Sequence, residues 1–337
     1  MFKLPDPPSP QAEPHELADF AELLAWEDGA VSERNILAAL GREEEHDNNV
    51  GIEDNDDRNA EKLDDVMNEL SRRAAACGKG YPFETAREGT VLRFLENDDD
   101  ERAHVYRYLL LSTRLNMTEN RVHAQIDGAL LLEELVGHVM RCYLGFDRAR
   151  SFVFGTSTGS KFSEKIDELC RQIGEGGKFK NTGHGLVNAN DDKLDVVTWV
   201  PFSDGHCSQL AIFSQCKTGS SWGNLVSQLQ PEIFIKNWML DGFAVPPVRG
   251  FCISEAADRP RWYHQSSYAG LLLDRCRIVD FSTELDPKLL QKIKNWNAAA
   301  RKAVLVPREK KPPKGRSQKR SKRKNNLSKV KVQEFRN

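Results

Sequence analysis

The segment from Lys193 to Trp222, KLDVVTWVPFSDGHCSQLAIFSQCKTGSSW, constrains the fold more than any other part of the 337-residue chain. Two apolar runs, Leu194–Val200 and Gln209–Lys217, flank a turn containing Asp204-Gly205, a strong hairpin signal. Alternation puts Ala211, Phe213, Gln215 and Lys217 on one face of the second run, and Leu210, Ile212, Ser214 and Cys216 on the other. Both faces stay apolar until the end, so this is an interior strand with a polar tip. Asp195 opens the preceding strand and can pair alongside that tip. Burying charge without a partner is costly. A divalent metal with a phosphate is the best candidate for what offsets that cost.

The donor types agree with this expectation. The Asp195 carboxylate, the Gln215 side-chain oxygen and the backbone carbonyl of Cys216 are hard oxygen ligands suited to Mg²⁺ or Mn²⁺. Lys217, two residues past Gln215, points to the same place, where its ammonium can hold a water and stabilise charge on a phosphoryl transition state. The alternative is an ordinary strand end emerging into solvent, with Asp195 as a cap or turn residue.

Asp195 followed by Gln215-x-Lys217 resembles the PD-(D/E)XK nuclease superfamily, in the variant where Gln replaces the second acid. The wording LDVV…F.QCKTG…W is similar to prokaryotic restriction-like proteins of anti-phage defence systems. The resemblance implies a restriction endonuclease-like core from about Gly128 to Ser254: helix, three strands, helix, strand. It also implies Mg²⁺-dependent (or Mn²⁺-dependent) DNA cleavage. Two departures stand out. Leu194 replaces the usual Pro, and the Asp195–Gln215 spacing exceeds a tight hairpin, leaving the Ser203–Ser208 loop to absorb the excess. With Gln215 neutral, a helix glutamate is expected to complete the site, as it often does in this family. Glu133 (or its neighbour Glu134), in LLLEELVGHVMRCYLG, resembles the glutamate of Mrr-type nuclease helices. Glu164, on a helix that also carries Glu168, is the alternative.

The remaining elements are read from periodicity and punctuation. Residues 1–14 form a Pro-rich leader expected to be disordered, and 15–125 a helical accessory domain. Helices are expected at His15–Trp26, Ser32–Leu40, Ala60–Cys77 and Arg102–Leu115, an extended stretch at Thr90–Leu95, and an acidic loop at 42–58 that lacks the order of a calcium site. Residues 126–305 carry the α/β (α+β) nuclease domain, a mixed central sheet flanked by helices. Its helices are expected at Gly128–Tyr143, Phe162–Ile173, Asn224–Leu240 and Pro287–Ala303, with further strands at Ser151–Gly155, Val248–Ser254 and Cys276–Phe281. Arg261–Leu273 is a segment bearing Trp and Tyr. Gly155–Lys161 has the composition of a phosphate loop without its order and reads as a flexible connection. His184 and His206 have no zinc spacing, and Trp222, Trp238, Trp262 and Tyr263 read as packing residues that could instead stack on bases.

Charge and cysteine usage set the setting. From Arg308 onward there are 13 Lys and Arg against Glu309 and Glu334, a local +11, so the net charge of -2 leaves -13 on the rest. A basic tail at 306–337 without an apolar face is expected to be disordered and to touch DNA phosphates through Lys319, Arg320, Lys322, Arg323 and Lys324, or else only to aid solubility. The seven cysteines are scattered and form no CxxC pair, which suits a reducing, cytoplasmic location. No run of eighteen apolar residues exists, so a membrane span is not expected. The expected function is DNA cleavage as a defence effector restrained by a regulatory or sensor protein. The competing expectation is an inactive nucleic-acid-binding or scaffold subunit of such a complex.

Overall fold

The structure, a computed structural model, describes residues 1–9, 11–36, 52–86, 90–96, 98–155, 161–181 and 192–305, with backbone alone at 52–60 and 305. Its amino-terminal segment is packed, contrary to the expectation of a disordered leader. The Phe2 ring is buried and meets Phe20 edge-on at 5.9 Å, and the Leu4 N–H donates to the Arg114 carbonyl at 2.8 Å. Helix α1 (Pro14–Asp28) leads into β1 (Ala30–Ser32). Helix α2 (Ile52–Cys77) begins well before the expected Ala60, so the last part of the acidic stretch is helical; the rest of it, and Ser32–Leu40 beyond Ile36, lie outside the described residues.

Strands β2 (Phe83–Ala86) and β3 (Val91–Phe94) join β1 in a small antiparallel sheet of order β1-β3-β2. Helix α3 (Glu101–Arg114) starts where the Asp100 carboxylate accepts the Arg102 N–H at 2.9 Å. It is buried on all sides from Ala103 to Arg114 and so forms the axis of the fold. A two-residue hairpin follows, β4 (Val122–His123) and β5 (Ile126–Asp127), whose turn residues Ala124 and Gln125 both have positive φ. Asp127 then caps α4 (Gly128–Leu144) through the Ala129 N–H at 2.9 Å.

The central sheet begins with β6 (Arg150–Val153). Helix α5 (Phe162–Ile173) intervenes before β7 (Val196–Val200) and β8 (Leu210–Lys217). Helix α6 (Pro231–Trp238) is shorter than expected because Pro231 fixes its first turn. It crosses to β9 (Val248–Ile253), followed by α7 (Trp262–Ala269) and β10 (Leu271–Leu273). The expected strand at Cys276–Phe281 is instead helix α8 (Arg275–Asp280), started by the Asp274 carboxylate accepting the Arg277 N–H at 3.1 Å. Helix α9 (Pro287–Leu305) ends the described chain.

The five strands lie in the order β10-β9-β8-β7-β6. The β6-β7-β8 meander is antiparallel, and β9 and β10 run parallel to β8. Helices cover both faces, which is why β7 and β8 read as nearly unbroken apolar runs. Val196, Ile212, Cys216 and Cys252 pack with Leu131, Leu135 and Val139 of α4 on one face. Val197, Trp199 and Phe213 pack with Ile166 and Leu169 of α5 and Phe234 and Trp238 of α6 on the other.

The first of these clusters runs from Phe2 to Ala300, and residues 1–305 form one compact unit with no break in packing near residue 125. Part of what joins the halves is ionic. Asp19, fully buried on α1, accepts from Arg73 of α2, Arg114 of α3 and Arg275 of α8, each at 2.7 Å. Burial opposes its charge, but the three guanidinium groups outweigh it and hold the carboxyl well below the usual range. No described helix is long and apolar enough to cross a membrane.

Candidate active site

Three of the sequence-selected residues meet at one end of the β7–β8 pair. The paired register ends at Val196↔Ser214, and the Asp195 N–H also bonds the Ser214 carbonyl, so Asp195 sits at a bulge opposite Ser214, beside Gln215. Gln215 and Lys217 have the parity of Phe213 and belong to the face covered by α5 and α6, whereas alternation breaks at Asp195: Leu194 packs with Val197 on that face, and Asp195 acts with Glu133 on the Cys216 thiol of the opposite face. The nine residues between Val200 and Leu210 absorb the long spacing, with Gly205 and Ser208 at positive φ.

Asp195 bonds backbone groups through its N–H, its carbonyl and one carboxylate oxygen. Its N–H donates to the Ser214 carbonyl at 3.0 Å, and its carbonyl accepts the Phe154 N–H at 2.9 Å. Its Oδ2 accepts the Cys216 N–H at 2.7 Å. Asp192 and Lys193, just upstream, both have positive φ, an uncommon conformation for non-glycine residues that turns the chain into β7.

Gln215 is fully buried, and neither Oε1 nor Nε2 has a hydrogen-bond partner. Leaving such a group unpaired costs about 1–3 kcal/mol. Lys217 ends β8, half-buried, with its carbonyl accepting the Ser254 N–H at 3.2 Å. Its ammonium has no hydrogen bond or ion pair among the described residues.

The two candidate glutamates separate clearly. Glu133 of α4 accepts the Gly155 N–H at 3.1 Å, just past the end of β6 and next to Phe154, which bonds Asp195. A Cβ on Gly155 would fall 2.1 Å from Glu133 Oε2, so glycine is what allows this approach. Glu133 and Asp195 also act on a common neighbour. The Cys216 thiol is pushed well above its usual value, first by burial and Cys252, then by both carboxylates. Glu164 does not join: exposed on the first turn of α5, it accepts the Lys161 N–H at 3.1 Å as part of the helix cap. Glu134 turns away to Lys292 of α9 at 2.7 Å, and Glu168 pairs with Arg171.

The group is therefore two carboxylates, a buried amide and a lysine. This set of hard oxygen donors fits Mg²⁺ or Mn²⁺, and the partnerless Gln215 amide is the feature such an ion would satisfy. Among the described residues no cluster of three or more His, Cys, Asp and Glu is placed to hold a metal. The Cys216 side chain lies on the opposite face of β8, which leaves only its backbone carbonyl as the donor considered from sequence. Comparison with protein-family models, curated proteins and solved structures gave no match.

Other candidates fall away or move. Trp222 and Trp238 are buried and Trp262 half-buried, whereas Tyr263 is 86% exposed and His206 is at the surface. His184, residues 156–160 of the glycine-rich loop, and the tail with Lys319, Arg320, Lys322, Arg323 and Lys324 lie outside the described residues. All seven cysteines are unpaired. Sequence reading missed Lys165, whose Nζ donates to the Phe154 carbonyl at 2.6 Å beside the site, and Gly155, which admits the Glu133 carboxylate. Neither follows from spacing, because both roles depend on where β6 ends.

Proposed function

We propose that the chain is a metal-dependent DNA endonuclease with a restriction endonuclease-like core, acting as the effector of a prokaryotic anti-phage defence system. The observation that carries this reading is the buried, partnerless Gln215 amide next to Cys216, whose N–H the Asp195 carboxylate accepts, with Lys217 on the same strand face as the amide. The order of α4, the β6-β7-β8 meander, α6 and a parallel β9 supports it, being the order that the resemblance implies.

A Mg²⁺ or Mn²⁺ held by Asp195, Gln215 and Glu133 would acidify a water and neutralise charge on the scissile phosphate. The Cys216 and Gly155 N–H groups fix the two carboxylates, so neither must reorganise during reaction. The Lys217 ammonium, without an ion pair among the described residues, is available to orient the attacking water and to stabilise the charge that builds on the phosphoryl oxygens. The basic tail supplies sequence-independent phosphate contacts, a cytoplasmic location suits the unpaired cysteines, and a regulatory protein partner restrains the activity.

The test is cleavage of supercoiled plasmid with Mg²⁺, Mn²⁺ or EDTA. The reading expects metal-dependent nicking that Lys217→Ala slows by about 100-fold or more, within the range for loss of one group stabilising transition-state charge. Equal cutting by the parent and Lys217→Ala would sink it. A parent that binds DNA but cuts under no metal would favour the inactive binding subunit.

A further inference from the structure

A cavity of about 650 Å³, lined by none of Asp195, Gln215, Lys217 and Glu133, opens between the segment before α1, the start of α1 and the turn after β8. That volume is in the range of small-molecule sites. Its walls carry four carboxylates, Glu13, Glu16, Glu255 and Asp258, together with His15 and Ser220. The cationic groups on this wall are already engaged. Arg261 bonds Glu13 at 2.6 Å and lies 3.3 Å from Asp258, and the Met1 ammonium lies 3.6 Å from Glu16.

Glu255, like Glu16, is buried. It accepts from Trp222 Nε1 at 2.7 Å and from Arg114 at 3.1 Å, a guanidinium it shares with Glu16 and Asp19. His15 stands 3.7 Å from Glu255 and 3.9 Å from Asp258, too far for hydrogen bonds, and its Nδ1 has no hydrogen-bond partner. Ser220, 7% exposed, has an equally partnerless Oγ. Acceptors and negative charge thus outnumber donors around a space large enough for an organic molecule.

We propose that this cavity binds a small organic cation, a protonated amine or guanidinium, between Glu255 and Asp258 with Ser220 Oγ as an additional acceptor. Four carboxylates disfavour a phosphate-bearing ligand, and among the described residues no metal-holding cluster is present. The state of the carboxylates agrees: burial pushes Glu255 up to about 7, against the pull of Arg114 and Trp222, and burial also raises Asp258. Their cationic partners are shared, Arg114 with Glu16 and Asp19 and Arg261 with Glu13, so a ligand cation would add to the pairing. Because Ser220 and Trp222 follow Lys217 within five residues, an occupant also braces the turn leaving the β8 tip. The proposal does not depend on DNA cleavage.

The test is calorimetric titration of the full chain with agmatine, which carries an ammonium and a guanidinium, at fixed ionic strength. One saturable site is expected at pH 8, weakened at least ten-fold by Asp258→Asn. Glu255 faces His15 and Asp19 of α1, Lys3 ahead of it, Arg114 of α3, Arg275 of α8 and Trp222. His15 is neutral across the range tested, since burial holds it near 4. Affinity should therefore fall about ten-fold from pH 8 to pH 6 as Glu255 takes up a proton. Ser220→Ala, which removes no charge and an unpaired buried hydroxyl, should weaken binding with a melting temperature no lower than the parent's. Absence of a saturable site, equal affinity in Asp258→Asn, or tighter binding of adenosine monophosphate than of agmatine would each overturn the proposal.

Discussion

Replacing Gln215 by Met should make the metal-free protein more stable while abolishing its activity. Met has nearly the volume and flexibility of Gln but no group that needs a hydrogen bond. The Gln215 amide is fully buried with both polar atoms unpaired, so removing it recovers about 1–3 kcal/mol. For a chain of this size that is ~2–6 °C in melting temperature. Urea unfolding in EDTA measures the difference directly. With Mn²⁺ the order should narrow or reverse. An ion at 100 times its Kd stabilises the parent by about 2.7 kcal/mol, and the variant, lacking the amide ligand, should gain much less. A variant less stable than the parent in EDTA would refute the reasoning, because the amide must then be satisfied in the folded protein. Equal stabilisation of both proteins by Mn²⁺ would refute the assignment of Gln215 as a ligand.

Gly155→Ala should destabilise by about 1–3 kcal/mol, since its Cβ would meet Glu133 Oε2 at 2.1 Å and Leu130 at 2.6 Å. Glu133→Ala should relieve part of that cost, which a double-mutant cycle in urea would register as a positive coupling. Arg275→Ala removes the partner of Asp19 and of the Ser254 carbonyl inside the core, so a loss of about 3–5 kcal/mol is expected by chemical denaturation. Burial depresses the pKa of His15 to about 4 from its ordinary value of 6.5. Its neutral form therefore supports the fold fully above pH 6.5, and that support, up to about 3 kcal/mol, is lost as pH falls through 4. His15→Gln should flatten the stability profile over that interval; an unchanged profile would place the acid sensitivity elsewhere.

Local chemistry was legible in the sequence, and contacts across long separations were not. The β7–β8 pair follows from apolar alternation and the Asp204-Gly205 turn, and α3 and α4 begin at Asp100 and Asp127, whose carboxylates cap them. Gln215 and Lys217 could be placed on one face because the period of a strand alone decides it, whereas the bulge at Asp195 has no such signature. The choice between Glu133 and Glu164 could not be settled from spacing, since it rests on a bond to Gly155 twenty-two residues away.

The larger misses have the same origin. Arg275-Cys276-Arg277-Ile278-Val279 reads as a strand by its β-branched residues, yet the Asp274 cap and burial against α3 make it a helix. The Pro-rich leader is ordered by Phe20 and Arg114, and Asp19 finds partners 54, 95 and 256 residues along the chain. No periodicity encodes such distances.

The central claim is that Asp195, Gln215 and Glu133 hold a catalytic metal. Anomalous diffraction from crystals soaked in Mn²⁺ tests it most directly. The account predicts a single strong peak about 2.0–2.3 Å from an Asp195 carboxylate oxygen and from Gln215 Oε1, with Lys217 beside it and no peak in Asp195→Ala crystals. Full occupancy of Mn²⁺ elsewhere, with the Gln215 amide still unligated, would contradict it.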